Sequence, residues 1–177
     1  GGGILSSIKD VRNASEDDLV ERVKKRMTRF IKLGTTTVEA KSGYGLDTES
    51  ELKSLRVLNR VNGDHPIDII PTFLGAHAFP PEFSDDPDGY VDLLCDEMIP
   101  AVGEQGIAQY CDVFCEKGYF SVEQSRRILE TGKTYGLIPR LHADEFEDSG
   151  AAELAAEVGA VSADHLMAVS NAGISAL

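Results

Sequence analysis

Four short stretches carry the residue types from which hydrolytic chemistry is assembled: "SGYGL" at residues 42 to 46, "GAHA" at 75 to 78, "LHADEF" at 141 to 146 and "SADHL" at 162 to 166. A neutral imidazole such as that of His142 is a good ligand for zinc or iron. A carboxylate three residues on, at Glu145, can reach a metal-bound water and accept its proton. The plainer reading of the same hexapeptide has His142 hydrogen-bonding a neighbouring strand while Asp144, Glu145, Glu147 and Asp148 form a solvated acidic loop. Locally, both readings stay open. His165, preceded by Asp164, repeats the pattern 23 residues later, and His77 is a third imidazole after an apolar run. His65, in "GDHP", reads as a turn residue before Pro66. Tyr44 lies between Gly43 and Gly45, which permit positive φ and can swing the ring into a cleft; the alternative is a glycine-rich turn with an exposed ring.

These residues need elements to carry them, and the chain supplies a regular alternation. Residues 15 to 33 open with the capping pattern Ser15-x-x-Asp18, place Leu19, Val23, Met27, Phe30 and Ile31 on one stripe and end at Gly34, which predicts a helix. The β-branched run 35 to 41 predicts a strand, followed by the "SGYGLD" loop and a helix over 48 to 62 closed by Gly63. The order then repeats. A buried-type strand at 68 to 76 leads through the Pro-rich acidic loop 78 to 89, a lid or a solvated connection, to a helix over 90 to 102. Strands at 109 to 116, 137 to 143 and 160 to 166 follow, with a helix capped by Ser121 and an Ala-rich helix over 149 to 158 between them.

Five strands alternating with helices predict a parallel α/β sheet, either open and doubly wound or part of a (β/α)8 barrel. Tyr44, His77, Glu116, His142 with Glu145, and His165 each fall at the carboxyl end of a different strand. An open sheet gathers its chemistry at one switch point, so this distribution favours the barrel rim. No phosphate-binding fingerprint is present, since "SGYGLD" lacks a third glycine and a following Lys-Ser/Thr.

Composition narrows the class. With 17 basic and 30 acidic residues among 177, the formal charge is -13 and disfavours nucleic-acid or anionic-membrane partners. The one basic cluster, Lys24, Lys25, Arg26 and Arg29, follows acids at 16 to 21 and reads as a solvated helix matched to its dipole. No apolar stretch approaches the ~18 residues needed to span a bilayer. A soluble, cytoplasmic protein is therefore expected. Cys95, Cys111 and Cys115 lack C-x-x-C spacing, so neither a disulfide framework nor a zinc knuckle is indicated. Cys111 and Cys115, alternating with Val113, read as small buried hydrophobes. The absence of an initiator Met and the stop after an apparent strand lead us to expect a piece of something longer.

Five blocks, "GTTTVEAKSGYGL", "TFLGAHAFPPEF", "CDVFCEKGYFS", "LHADEF" and "SADHL", in this order and spacing, resemble the imidazolonepropionase family of the amidohydrolase superfamily. The resemblance runs over essentially the whole chain. It implies a partial (β/α)8 TIM barrel, roughly strands 2 to 6 with their helices, forming one partial domain over 1 to 177 without the first strand, the last strands or the flanking β-sandwich. It also implies one zinc or iron ion, a small-molecule substrate, a homodimer for the whole protein, and opening of the ring C–N bond of 4-imidazolone-5-propanoate in histidine degradation. By motif, His142 corresponds to a metal ligand, Glu145 to a residue that contacts substrate and handles the water proton, His165 to a catalytic histidine, and Tyr44 and His77 to substrate-binding positions. The family's His-x-His pair and a strand-end Asp ligand have no counterpart among these residues, so the chain alone is expected to be inactive. The competing expectations are another ring-acting deaminase or cyclic amidase of the superfamily, and a metal-free α/β assembly module or relic.

Overall fold

In a computed structural model the described residues are 3 to 177. Five strands form a single sheet in the order β1 (Thr37–Lys41), β2 (Asp68–Ala76), β3 (Tyr110–Cys115), β4 (Ile138–Ala143) and β5 (Ala163–His165). Every neighbouring pair is parallel. Because strand order follows chain order without reversal, there is no switch point, and the sheet curls as a half-barrel with helices between its strands. This decides between the two architectures the alternation permits, in favour of the barrel.

The helices lie where the periodicity predicts them, with instructive departures. α2 (Glu16–Lys32) is capped by Ser15, whose side chain accepts from the Asp18 N–H, and α3 (Thr48–Asp64) by Asp47, accepting from Ser50 N–H. Gly63 does not close α3; the helix runs on to Asp64 and stops at His65, before Pro66. The helix expected over 90 to 102 is three segments, α4 (Pro87–Leu93), a π turn (Leu94–Met98) and α5 (Ile99–Gln105). Pro100 lacks the N–H of the α ladder and crowds the preceding turn, and the Ile99 N–H bonds Leu94 O across the π turn. α6 (Val122–Thr134) carries the full capping box between Ser121 and Gln124. α7 (Ala151–Val158) begins two residues later than predicted, after Gly150 in the left-handed region.

Two helices went unpredicted. α1 (Ile4–Asn13) has no side-chain N-cap and a weakly apolar stripe, and α8 (Asn171–Ala176) is only six residues long with Gly173 inside it. α1 nevertheless matters to the site. Arg12 near its end donates to the Gly45 and Leu46 carbonyls at 2.7 and 3.4 Å and pairs with Asp47 and Glu82. Lys53 of α3 in turn donates to the carbonyls of Val11, Arg12 and Ala14 and so caps α1.

Alternation along each strand divides its side chains between two environments. Val38 and Ala40 of β1 pack with Val20 and Met27 of α2 and Val57, Leu58 and Val61 of α3. Cys111, Val113 and Cys115 of β3 join Ile128 and Leu129 of α6 in the larger core. All three cysteines are buried and free, and burial pushes the Cys115 thiol up to about 11, as expected of packing residues. The residues between them, Glu39, Lys41, Asp112, Arg140, His142 and Asp164, share the concave face. The loop 78 to 89 is pinned rather than free: it contains a 3₁₀ turn (Pro81–Phe83), and the Phe79 ring lies 4.4 Å from that of Phe120. Among the described residues no helix is long and apolar enough to cross a membrane.

Candidate active site

All five residues singled out by type and spacing converge on the carboxyl end of the sheet. Their rings form a row: Tyr44 meets His77 edge-on at 5.1 Å between centroids, His77 lies 6.0 Å from His142, and His142 lies 5.3 Å from His165. Glu145 closes the far end, with Oε2 3.5 Å from His165 Nε2. Phe114, the last inward residue of β3, fills the space beside the row at 6.3 Å from His77 and 5.6 Å from His142. Tyr119 and Phe146 stack around Phe114 at 4.2 and 6.2 Å, so one wall of the mouth is aromatic.

Each member is held by local chemistry. The loop after β1 wraps a buried carboxylate: Glu51 of α3 accepts from the N–H groups of Gly43, Gly45 and Leu46 at 2.7, 3.1 and 2.9 Å. Gly43 adopts φ 96°, and a Cβ there would lie 2.5 Å from the Leu74 carbonyl oxygen. Gly45 does not use the left-handed region; the turn's other positive φ falls on Leu46, at 56°. Gly45 is small for a different reason, because a Cβ would press within 2.3 Å of Ser50 Cβ. Tyr44 is thus presented by a loop whose conformation is fixed from beneath by Glu51 and from outside by Arg12, its ring 43% exposed against His77.

His77 is buried, and burial, opposed by its bond to Gly43, lowers its pKa so that the ring is neutral near pH 7. Its Nδ1 donates to the Gly43 carbonyl at 2.8 Å, which leaves Nε2 as an acceptor. His165 sits in the left-handed region at φ 75°, followed by Leu166 at 55°. Such a conformation in a non-glycine residue costs of the order of 1 kcal/mol and clusters at functional sites. In register with Ala143, His165 continues a strand whose alternation would face it to the helices, and the left-handed backbone goes with its ring standing beside His142 instead.

The acidic loop after β4 divides its labour. Asp144 is fully buried and structural: it accepts from the Ser149 N–H and hydroxyl and from the N–H groups of Ala151 and Ala152, capping the start of α7. Glu145, next to it, is left to face the mouth. Glu116, expected at the rim with the others, instead accepts from the Lys117 and Phe146 N–H groups at 2.8 Å each and ties the loops after β3 and β4 together.

Below the row lies a set of charges that sequence reading passed over. Asp112 is wholly buried. Its Oδ2 accepts from Lys41 Nζ at 2.5 Å, and its Oδ1 lies 3.0 Å from His142 Nδ1. Burial opposes the charge on Asp112, but His142 and Lys41 outweigh it and hold the carboxyl below the usual range. Lys41 also approaches Glu39 and Asp164, both at 3.4 Å, while Arg140 reaches the same two acids at 3.5 and 3.8 Å. A signal for Asp112 exists in "YCDVFC", where a charge interrupts a buried strand between residues that face the helices.

No family profile matches the chain. Comparison with curated proteins is decisive instead: it is 57% identical over 174 residues to imidazolonepropionase from Shouchella clausii, covering 98% of this chain and 39% of that protein. The chain is a homologue of the imidazolonepropionases. The enzyme of that name from Alkaliphilus metalliredigens is 55% identical over 170 residues, and that from Clostridium tetani 52% identical over all 177. The chain spans about two fifths of the length of these imidazolonepropionases. Among solved structures, a 5-methylcytosine deaminase from Klebsiella pneumoniae, liganded with 5-fluorocytosine, matches with a TM-score of 0.61 at 17% identity. That match covers 84% of this chain and 34% of the deaminase, and it shows a shared fold.

Proposed function

We propose that the protein, like the imidazolonepropionases it matches, is a metal-dependent hydrolase that opens the ring C–N bond of 4-imidazolone-5-propanoate to give N-formimidoyl-L-glutamate. The observation that carries this is the contiguous row Tyr44, His77, His142, His165 and Glu145 at the ends of four of the five strands, in a chain more than half identical to proteins of that name.

Of the donors that one zinc or iron ion would need, these residues supply the His142 imidazole. His142 engages its Nδ1 with a carboxylate, the arrangement found around metal-ligating histidines, and so has Nε2 to offer. His142 would hold the ion, and both metals accept imidazole and carboxylate ligands. When bound, the ion supplies a hydroxide at neutral pH by lowering the pKa of its water, and it polarises the group under attack. The remaining work belongs to the chain's own residues. Tyr44 and neutral His77 bind and orient the flat ring against the aromatic wall of Phe114. Glu145 takes the proton of the attacking water and returns it to the ring nitrogen as the C–N bond breaks, and His165 stabilises the charge that builds on the ring oxygen.

The test uses the protein at its natural length, supplied with zinc or iron(II), with loss of 4-imidazolone-5-propanoate followed directly. Glu145→Gln should lower kcat by about 10²- to 10⁴-fold. Tyr44→Phe and His77→Ala should reduce kcat/KM for the imidazolone. If both substitutions leave imidazolone turnover nearly intact, a different ring substrate is indicated and the proposal fails. The 177 residues alone are expected to give no enzyme-like rate.

A further inference from the structure

We infer that Asp112 is the positioning residue of His142: it holds the imidazole as its Nδ1–H tautomer and turns the Nε2 lone pair toward the mouth of the half-barrel. This deepens the hydrolase reading, and rests on it only for the use to which that lone pair is put.

The inference follows from what Asp112 can and cannot do. Its neighbours Cys111 and Val113 belong to the helix-side core, so its own side chain is directed to the concave face, where it is completely buried. Both oxygens are engaged, one by each of two partners. Lys41 Nζ has three protons and no lone pair, so it donates to Oδ2 and keeps the carboxylate ionised. An ionised carboxylate only accepts. The bond between Oδ1 and His142 Nδ1 must therefore be donated by the ring, which fixes the proton on Nδ1 and leaves Nε2 unprotonated when the ring is neutral.

Geometry sets where that nitrogen lies. The two nitrogens point away from each other on the imidazole, so with Nδ1 held against the wholly buried Asp112 the Nε2 edge is directed away from that carboxylate, and 15% of the His142 side chain stays exposed. Asp112 in turn has little freedom. The Lys41 ammonium that holds its other oxygen is shared with Glu39 and Asp164, and Arg140 approaches the same two acids. Two cations and three carboxylates thus interlock beneath the histidine, a support of the kind that orients metal-ligating imidazoles elsewhere. A purely structural ion pair between Lys41 and Asp112 would place no demand on the tautomer of His142, and that difference is measurable.

The experiment is a long-range ¹H–¹⁵N correlation spectrum of the ¹⁵N-labelled 177-residue chain at pH 8. The chain has four histidines, so the His142 pattern is assigned by its loss in His142→Gln. We expect the wild-type ring to show the Nδ1–H tautomer alone. An Nε2–H, averaged or doubly protonated pattern would overturn the proposal without any variant being made. In Asp112→Leu, which keeps the volume but removes both acceptors, the ring should shift to the Nε2–H or an averaged pattern. A folded Asp112→Leu chain that retained the fixed Nδ1–H tautomer would also overturn it. Zinc added to the protein at its natural length, labelled in the same way, tests the other reading separately. An unmoved His142 Nε2 resonance would count against the metal role while leaving the positioning role standing.

Discussion

Two loops carry the polar ends of the candidate site, and both are organised by a buried carboxylate in different ways. The loop after β1 presents Tyr44 and borrows its organiser from the following helix: Glu51 accepts three loop N–H groups, and Arg12 of α1 closes the loop from outside. The loop after β4 presents Glu145 and contains its own organiser: Asp144, at φ 47°, turns back to take the N–H groups that open α7. The first arrangement makes Tyr44 depend on residues distant in sequence. The second makes Glu145 depend on its immediate neighbour. Site geometry at the two ends of the row should therefore fail for different reasons.

The largest expected effect is at Glu51. Glu51→Leu leaves three buried N–H groups without an acceptor, each worth about 1–3 kcal/mol, so destabilisation of more than about 3 kcal/mol is expected in urea unfolding. A cost below about 1 kcal/mol would show that the loop finds other acceptors and would erase the contrast. Asp144→Ala comes next. It removes a helix cap and acceptors from Ser149, for roughly 2–3 kcal/mol, with the loss of hydrogen-exchange protection confined to the start of α7. Arg12→Ala is smaller, about 1 kcal/mol, because its ion pairs are partly exposed; protection should fall at Gly45 and Leu46 and not around Glu145.

The finest test is pH. Burial, incompletely offset by hydrogen bonds from Ser42 and the loop amides, raises the pKa of Glu51. Its contribution is then fully present below its unfolded value and lost as pH rises through the folded one. Asp112 is lowered, so its contribution is present above its unfolded value and lost as pH falls through the folded one. Relative to wild type, Glu51→Gln should flatten the loss on the rising side of the pH–stability curve. Asp112→Asn should flatten the loss on the acid side. Identical curves for the two variants would mean that the carboxylates do not differ in this way.

Much of this was legible in sequence because the chain repeats one unit. Each strand has a distinct signature of β-branched or continuous apolar residues, each long helix has a cap or a glycine stop, and three of the four histidines fall at strand ends. Residues that depend on distant partners were not legible. Asp112 acquires its meaning from Lys41 and His142, 71 and 30 residues away, and nothing local in "CDVFC" says which strands will flank it. Glu51 looks like one more acid in an amphipathic helix until the preceding loop folds over it. Gly45 is likewise required by the close approach of Ser50 and not by a positive φ, which falls on Leu46 instead. α1 escaped notice because its helix is stabilised by contacts to α3 and the β1 loop rather than by its own caps.

The central claim, that His142 is a metal ligand in a hydrolytic site, is tested most directly by metal content. The protein at its natural length, purified without chelator and passed through a desalting column, should carry about one zinc or iron per chain. His142→Ala should lose that metal and its turnover of 4-imidazolone-5-propanoate while keeping the wild-type circular dichroism. A His142→Ala protein that kept both the metal and the activity would contradict the account.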